Sequence, residues 1–228
     1  MNETPLIKKV KISKIISETG DAKTFVLVPQ DDWQPEYKPG QFLTLVFYTE
    51  HGEKRRSYSI CSAPVLNEQL SITVKKMDNG EFSRLLNYTA KEGDILYTSG
   101  ISGMFQLPED INAAENYFFI AAGSVITPCY SQIKTILATG SSKVILIYSN
   151  KSEADTIYYA QLKSLQEQYK ERFSIRFLFS NIFDVYRSRL SNWLLQQLLN
   201  DYLVANEEHR SLFYICGPFE YMQTVTIT

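Results

Sequence analysis

The chain has 228 residues, 44% hydrophobic and 21% charged, enough to bury one large core or two medium ones. Its net charge of −2 lacks the basic footprint that nucleic-acid binding demands, and no apolar run reaches the roughly 20 residues that span a bilayer. Cys61, Cys129 and Cys216 are odd in number and far apart, so they read as reduced thiols of a cytoplasmic protein, not as a disulfide framework. With only His51 and His209 beside them, no metal-ligand spacing arises, and no metal is expected.

Residues 1–14 alternate Lys with Ile and Val and lack an apolar stretch, which excludes a signal peptide. Residues 22–28, 41–48, 55–60, 70–76 and 95–98 then read as short strands, mostly rich in Val, Ile, Thr, Tyr and Phe. Turn dipeptides such as Pro39-Gly40, His51-Gly52 and Asn79-Gly80 punctuate them. Strands at this spacing predict an antiparallel barrel or sandwich, interrupted by one helix over 81–89. After Glu115 the period changes. Apolar runs at 117–121, 143–148, 173–179 and 212–216 are followed by helical patterns at 128–138, 153–169, 190–202 and from 218 onward. Runs apolar on successive residues, such as Val144-Ile145-Leu146-Ile147, predict a parallel sheet buried on both faces. The expected division is therefore 1–108 as a β-barrel domain and 109–228 as a doubly wound α/β domain. The chain stops at Thr228, early in its last helix, which points to an incomplete second domain.

In an open parallel sheet, ligands gather beyond the carboxyl ends of the strands. The first such end is Ala122-Gly123-Ser124-Val125-Ile126-Thr127-Pro128. Small residues there let backbone approach a ligand, and the helix that follows offers free N–H groups to a pyrophosphate. A tight strand-to-helix turn would also favour Gly and Ser for purely local reasons, and Val125 stands where a second glycine would help. The second end is Cys216-Gly217-Pro218. The third, Ser149-Asn150-Lys151-Ser152, offers a cation and hydroxyls of the kind that tolerate a ribose 2′-phosphate, or equally a solvated turn with Ser152 as helix N-cap. In the first half, Arg56, Tyr58 and Ser59 share one strand that could bind a phosphate, stack a planar ring and hydrogen-bond its heteroatom. The plainer reading is a solvated edge. Asn79-Gly80-Glu81-Phe82-Ser83 opens the only helix of this half and forms a second candidate anion site.

At these residues the chain resembles the ferredoxin–NADP reductase family over nearly its whole length. Arg56-Ser57-Tyr58-Ser59 resembles that family's R-x-Y-S motif, and Gly80 to Ser83 its G-x-x-S turn. Gly123 to Pro128 is similar to its G-x-G-I-x-P turn, and Cys216-Gly217-Pro218 with Met222 to its C-G-P-x-x-x-M element. Lys38 to Phe42 and Gly103-Met104-Phe105 agree less closely.

The resemblance implies an FAD-dependent NAD(P)H oxidoreductase. Tyr58 would stack on the isoalloxazine and Ser59 would hydrogen-bond near its reactive nitrogen. Arg56 and Ser83 would hold the pyrophosphate, with Ser57 and Phe82 completing their motifs and the Val74–Lys75 backbone beside the ribityl chain. Gly123, Ser124, Thr127, Pro128, Asn150, Lys151, Gly217, Pro218 and Met222 would hold NADPH, or NADH, with Ser59 and Cys216 nearest the transferred hydride. Asn150-Lys151 stands where NADPH-preferring relatives often show an arginine, a departure that leaves NADPH over NADH as no more than a lean. The nearest likeness is to reductases of bacterial multicomponent oxygenases of the phenylacetate-degradation type, which carry a C-terminal two-iron, two-sulfur domain. This chain has no C-x4-C-x2-C run, so the implied iron–sulfur or haem acceptor is either a separate protein or a ferredoxin domain beyond Thr228. The alternative is an FAD-binding electron-transfer subunit that does not itself oxidise NAD(P)H.

Overall fold

A computed structural model of the chain describes residues 7–181, 190–203 and 210–226. It divides into two compact units: residues up to Leu107 with Tyr130–Thr135, and Pro108–Cys129 with the chain from Ile136 onward.

The first unit carries β1 (Lys8–Thr19), β2 (Ala22–Pro29), β3 (Phe42–Thr49), β4 (Gly52–Ser59), β5 (Ser71–Lys75) and β6 (Ile95–Ser102). They form an antiparallel sheet in the order β4-β3-β6-β1-β2-β5. A bridge between Ile60 and Ile72 joins its two ends, and Cys61 N–H donates to Ser71 O at 2.9 Å, so the sheet curls into a barrel. Alternation fills the interior. Val10 and Ile12, Phe25 and Leu27, Leu43 and Leu45, and Ile72 and Val74 form one buried cluster with Leu86 of α1 (Glu81–Thr89). Burying each of these large side chains contributes roughly 1.5–3 kcal/mol before entropic losses.

β1 is an addition to the strands read from sequence. Only Val10 and Ile12 of its twelve residues are buried, and its register with β2 shifts between Ile12 and Lys14 and again between Ser17 and Thr19. Bulges of this kind break the two-residue period that reveals a strand.

The second unit carries β7 (Asn116–Ala122), β8 (Lys143–Asn150), β9 (Phe173–Phe179) and β10 (Ser211–Cys216), all neighbours parallel, in the order β10-β7-β8-β9. Residues 117–121 of β7 and 144–148 of β8 are buried without interruption, as a two-sided parallel sheet requires. The helices described are α2 (Ile126–Thr139), α3 (Tyr159–Gln168), α4 (Asn192–Leu203) and α5 (Phe219–Thr226). Leu194, Leu195 and Leu198 of α4 and Val225 of α5 pack on Ile120, Ile147 and Leu178 of the sheet. The chain steps from β7 to β8 to β9, and β10 then lies on the far side of β7. The switch point therefore falls between the carboxyl ends of β7 and β10, where this architecture places its ligands.

One helix begins later than expected. Residues 153–158 form turns, and α3 starts at Tyr159 after Tyr158 in the left-handed region at φ 63°. Ser152 therefore does not cap a helix. Its hydroxyl donates to Asp155 Oδ2 at 2.5 Å, and Ile157 and Tyr158 are drawn into the core before the helix can start.

Candidate functional site

In the first unit, the site residues lie on the barrel's two end strands and the helix beside them. β4 is exposed from Gly52 to Ser57, with Tyr58 and Ser59 half-buried. Its two arginines behave differently. Arg55 Nε is held by Glu53 Oε1 at 2.6 Å, whereas Arg56 has no carboxylate partner among the described residues. The Arg56 guanidinium donates to Arg55 O at 2.7 Å and lies 5.2 Å from the centroid of the Phe82 ring. Phe82 is buried and stacks on Phe47 at 4.2 Å, so a fixed aromatic face seats the cation. The two motif segments, 26 residues apart from Arg56 to Phe82, thus meet at one place.

That place is the start of α1. Gly80 is its N-cap, and no side chain caps the first-turn amides. A Cβ at Gly80 would come 2.3 Å from Ser83 Oγ and 2.9 Å from Met77 Cβ, so only glycine fits. Ser83 Oγ donates to Gly80 O and accepts from Met77 N–H, each at 3.1 Å. Its hydroxyl proton therefore shapes the turn, and a contact from it to a pyrophosphate would require the proton to swing away from Gly80. The exposed Glu81 carboxylate opposes an anion here, which makes the Arg56 charge more important.

The Tyr58 ring packs against the barrel core while keeping a free side, and burial pushes its hydroxyl up to about 12 against the lowering pull of Arg56. Ser57 Oγ lies 3.0 Å from Thr44 Oγ1, and Ser59 pairs with Phe42. Val74 and Lys75 lie on β5, the terminal strand, which meets the chain just after β4 through the Ile60–Ile72 bridge and the Cys61 N–H bond to Ser71 O. Val74 O accepts from Asn87 Nδ2 at 3.2 Å, and the Lys75 ammonium lies 3.4 Å from Asp21.

In the second unit, the turn after β7 is a single 3-10 turn, Gly123–Val125, leading into α2. Gly123 has φ +61°, and a Cβ there would meet nothing within 4 Å, so the requirement is conformational and the space before it is open. Tyr148 OH pins the turn by donating to Gly123 O at 2.9 Å, and Thr127 Oγ1 donates to Ser124 O at 2.8 Å. No side chain caps α2, and Pro128 sits in its first turn, where no helical amide is lost.

Across the switch point, Cys216 pairs in register with Ala121. A Cβ at Gly217 would come 2.4 Å from the Tyr221 ring. Tyr221 OH donates to Ala121 O at 3.2 Å and lies 3.2 Å from Ser149 Oγ, and burial pushes this phenol up to about 12. One tyrosine therefore ties together the carboxyl ends of β7, β8 and β10. Half-buried Met222 lies in the first turn of α5, its N–H bonded to Pro218 O at 3.0 Å.

Asn150 is 9% exposed, and among the described residues its Nδ2 lies near the Tyr148 hydroxyl without closing a hydrogen bond of normal geometry. It lines a cavity of about 320 Å³ with Ser149, Ser180, Glu220, Tyr221 and Thr224. Lys151 is exposed and does not line it. Sequence reasoning missed Ser180, Glu220 and Tyr221. The one available signal was the spacing Gly217 to Tyr221, which stacks a ring over a residue that lacks a side chain.

Among the described residues, no helix is long and apolar enough to cross a membrane, and no group of three acidic, His or Cys side chains is placed to hold a metal.

Residues 6–107 match the family described as oxidoreductase FAD-binding domain, and residues 119–226 match the oxidoreductase NAD-binding domain. The chain is 33% identical to the ferredoxin reductase component of 3-ketosteroid-9-alpha-monooxygenase from Mycobacterium tuberculosis, over 95% of this chain and 60% of that protein. It is 32% identical to one of the subunits of the 1,2-phenylacetyl-CoA epoxidase of Escherichia coli, over 91% of this chain and 59% of that protein. The chain thus spans about three fifths of the length of these relatives. Among solved structures, a ferredoxin NADP+ reductase from Neisseria gonorrhoeae with bound FAD and NADP has the same fold. Its TM-score is 0.79 at 23% identity, covering 98% of this chain and 92% of that one.

Proposed function

The chain belongs to the ferredoxin reductase-like oxidoreductases, which join an FAD-binding domain to an NAD-binding domain, and from that premise we propose that it oxidises NADPH through FAD and passes single electrons to an iron–sulfur or haem acceptor. The observation that carries the reading is Arg56, a cation with no carboxylate partner among the described residues, seated over Phe82 at a helix N-terminus whose N-cap is a glycine. Bound FAD supplies the conversion from two-electron to one-electron transfer.

The residues present fit the group. Arg56 and the first-turn amides of α1 would hold its pyrophosphate, which is the anion that an exposed cation and an uncapped helix start accept. Tyr58 would supply a ring face, Ser59 a hydrogen bond at the reactive edge, and the backbone of Val74 and Lys75 the contact to the ribityl hydroxyls. Gly123, Ser124, Thr127 and the start of α2 would take the pyrophosphate of the dinucleotide. Asn150, which lines the cavity at the end of β8, and the exposed Lys151 would meet the ribose end. Cys216, Gly217 and Pro218 would flank the nicotinamide, backed by Met222. These residues orient and exclude water, and orientation accounts for most of the rate.

We place the functional division at Pro108 and the protein in the cytoplasm, where its three thiols stay reduced. The acceptor is a separate protein or a further domain, as the oxygenase-linked reductase relatives suggest. The test is anaerobic turnover of NADPH with ferricyanide as a one-electron acceptor. The expected result is flavin-dependent reduction of twice as much ferricyanide as NADPH consumed. A yellow protein that leaves NADPH untouched would overturn the reading in favour of a coupling subunit.

A further inference from the structure

The cavity at the carboxyl end of β8 has one charged side chain on its wall, and that charge is negative: Glu220, in the first turn of α5. The hydroxyls of Ser149, Ser180 and Thr224 and the Asn150 amide supply most of the remaining polar lining. Local bonds hold Glu220 at this wall. Its neighbour Tyr221 donates through OH to Ala121 O and lies beside Ser149 Oγ, each at 3.2 Å, which fixes the start of α5 over the ends of β7 and β8. Thr224 Oγ1 donates to Glu220 O at 3.0 Å and ties down the same turn. Ser180 N–H donates to Asn150 O at 3.0 Å, which keeps the ends of β8 and β9 together. The Glu220 carboxylate is exposed and makes no ion pair among the described residues. Lys151 is exposed too, but it lies outside the lining.

We propose that Glu220 is a specificity-determining residue that favours NADH and opposes NADPH, so that Glu220 and Lys151 act on the ribose 2′ position with opposite signs. The inference rests on the proposed function, because it takes this cavity to receive the adenosine ribose of the dinucleotide. A carboxylate accepts a hydrogen bond from a free ribose 2′-hydroxyl. The same carboxylate repels a 2′-phosphate, which carries up to about two negative charges at neutral pH. Lys151 would meet that phosphate only from outside the cavity, as a solvent-screened point charge. The choice between the two nucleotides is then a narrow difference between opposed contacts, and Glu220 supplies the repulsive one. A carboxylate in the first turn of α5 also complements the helix dipole, but that effect is blind to the 2′ group.

The test is titration calorimetry of the FAD-loaded protein with 5′-AMP and with adenosine 2′,5′-bisphosphate, two probes that differ only in the 2′-phosphate. In Glu220→Gln, the affinity for the bisphosphate should rise about three- to tenfold at low salt. The affinity for 5′-AMP should fall about two- to fivefold, because an amide oxygen accepts the 2′-hydroxyl less strongly than a carboxylate. High salt should erase the rise and leave the fall, since only the repulsion acts over a distance that ions screen. Glu220→Lys should move the ratio of affinities further in the same direction. An unchanged ratio in Glu220→Gln, or an equal loss of both ligands, would overturn the proposal. Anaerobic flavin reduction by NADPH and NADH, read on the same protein, separates this failure from that of the proposed function. Flavin reduced by either nucleotide beside an unchanged ratio would sink the role of Glu220 alone. Flavin reduced by neither would overturn the proposed function and, with it, any role of Glu220 in turnover.

Discussion

The two units would build their candidate anion sites by different means. In the barrel, the candidate site rests on an exposed strand whose Arg56 has no carboxylate partner among the described residues and on a glycine-capped helix start, so charge would do most of the holding. In the parallel-sheet unit, the corresponding place is made of backbone shape: a left-handed glycine, buried tyrosine hydroxyls and a thiol at the ends of three strands. A site resting on one charge is lost when that charge is removed. A site resting on many short contacts should weaken step by step.

The sharpest way to break this comparison is Arg56→Ala. Losing a charge-assisted contact of roughly 1.5–3 kcal/mol should weaken FAD retention about ten- to more than a hundredfold. Dialysis followed by absorbance of the retained flavin measures it, and unchanged flavin content would count against the barrel site. Gly123→Ala should come next. The left-handed conformation costs an alanine roughly 1–2 kcal/mol, while the new Cβ meets no protein atom. Flavin content should therefore stay intact while kcat/KM for NADPH drops about five- to thirtyfold.

Tyr221→Phe removes the hydroxyl that bonds Ala121 O and Ser149 Oγ. At about 0.5–1.5 kcal/mol per hydrogen bond, NADPH affinity should fall roughly two- to tenfold, read from single-turnover flavin reduction. The smallest effect belongs to Lys151→Ala. An exposed lysine offers a 2′-phosphate only a screened point charge, so NADPH should lose about two- to threefold against NADH at low salt and nothing at high salt. An undiminished NADPH preference in that variant would put the 2′-phosphate site elsewhere.

The same contrast explains what could be read from the residues alone. Alternation in β3 and the continuous apolar runs of β7 and β8 follow directly from one-sided and two-sided burial, so the barrel and the parallel sheet were legible. β1 escaped although its first residues alternate, because the bulges after Ile12 and after Ser17 break the period. The early turns before α3 escaped because Ser152 bonds a side chain where a backbone cap was expected. Arg56 and Gly80 announce themselves in short motifs, but their meeting over Phe82 is a tertiary fact. The placement of Tyr221 and Glu220 depends on which strands lie side by side, which no local pattern encodes.

The central claim is that this chain holds FAD and reduces it with a nicotinamide dinucleotide. An absorbance spectrum of the purified protein, taken without oxygen before and after NADPH is added, tests it most directly. A bound-flavin spectrum that bleaches on addition is the predicted result. A colourless protein would contradict the FAD site, and a yellow protein that stays yellow with both NADPH and NADH would contradict the dinucleotide chemistry.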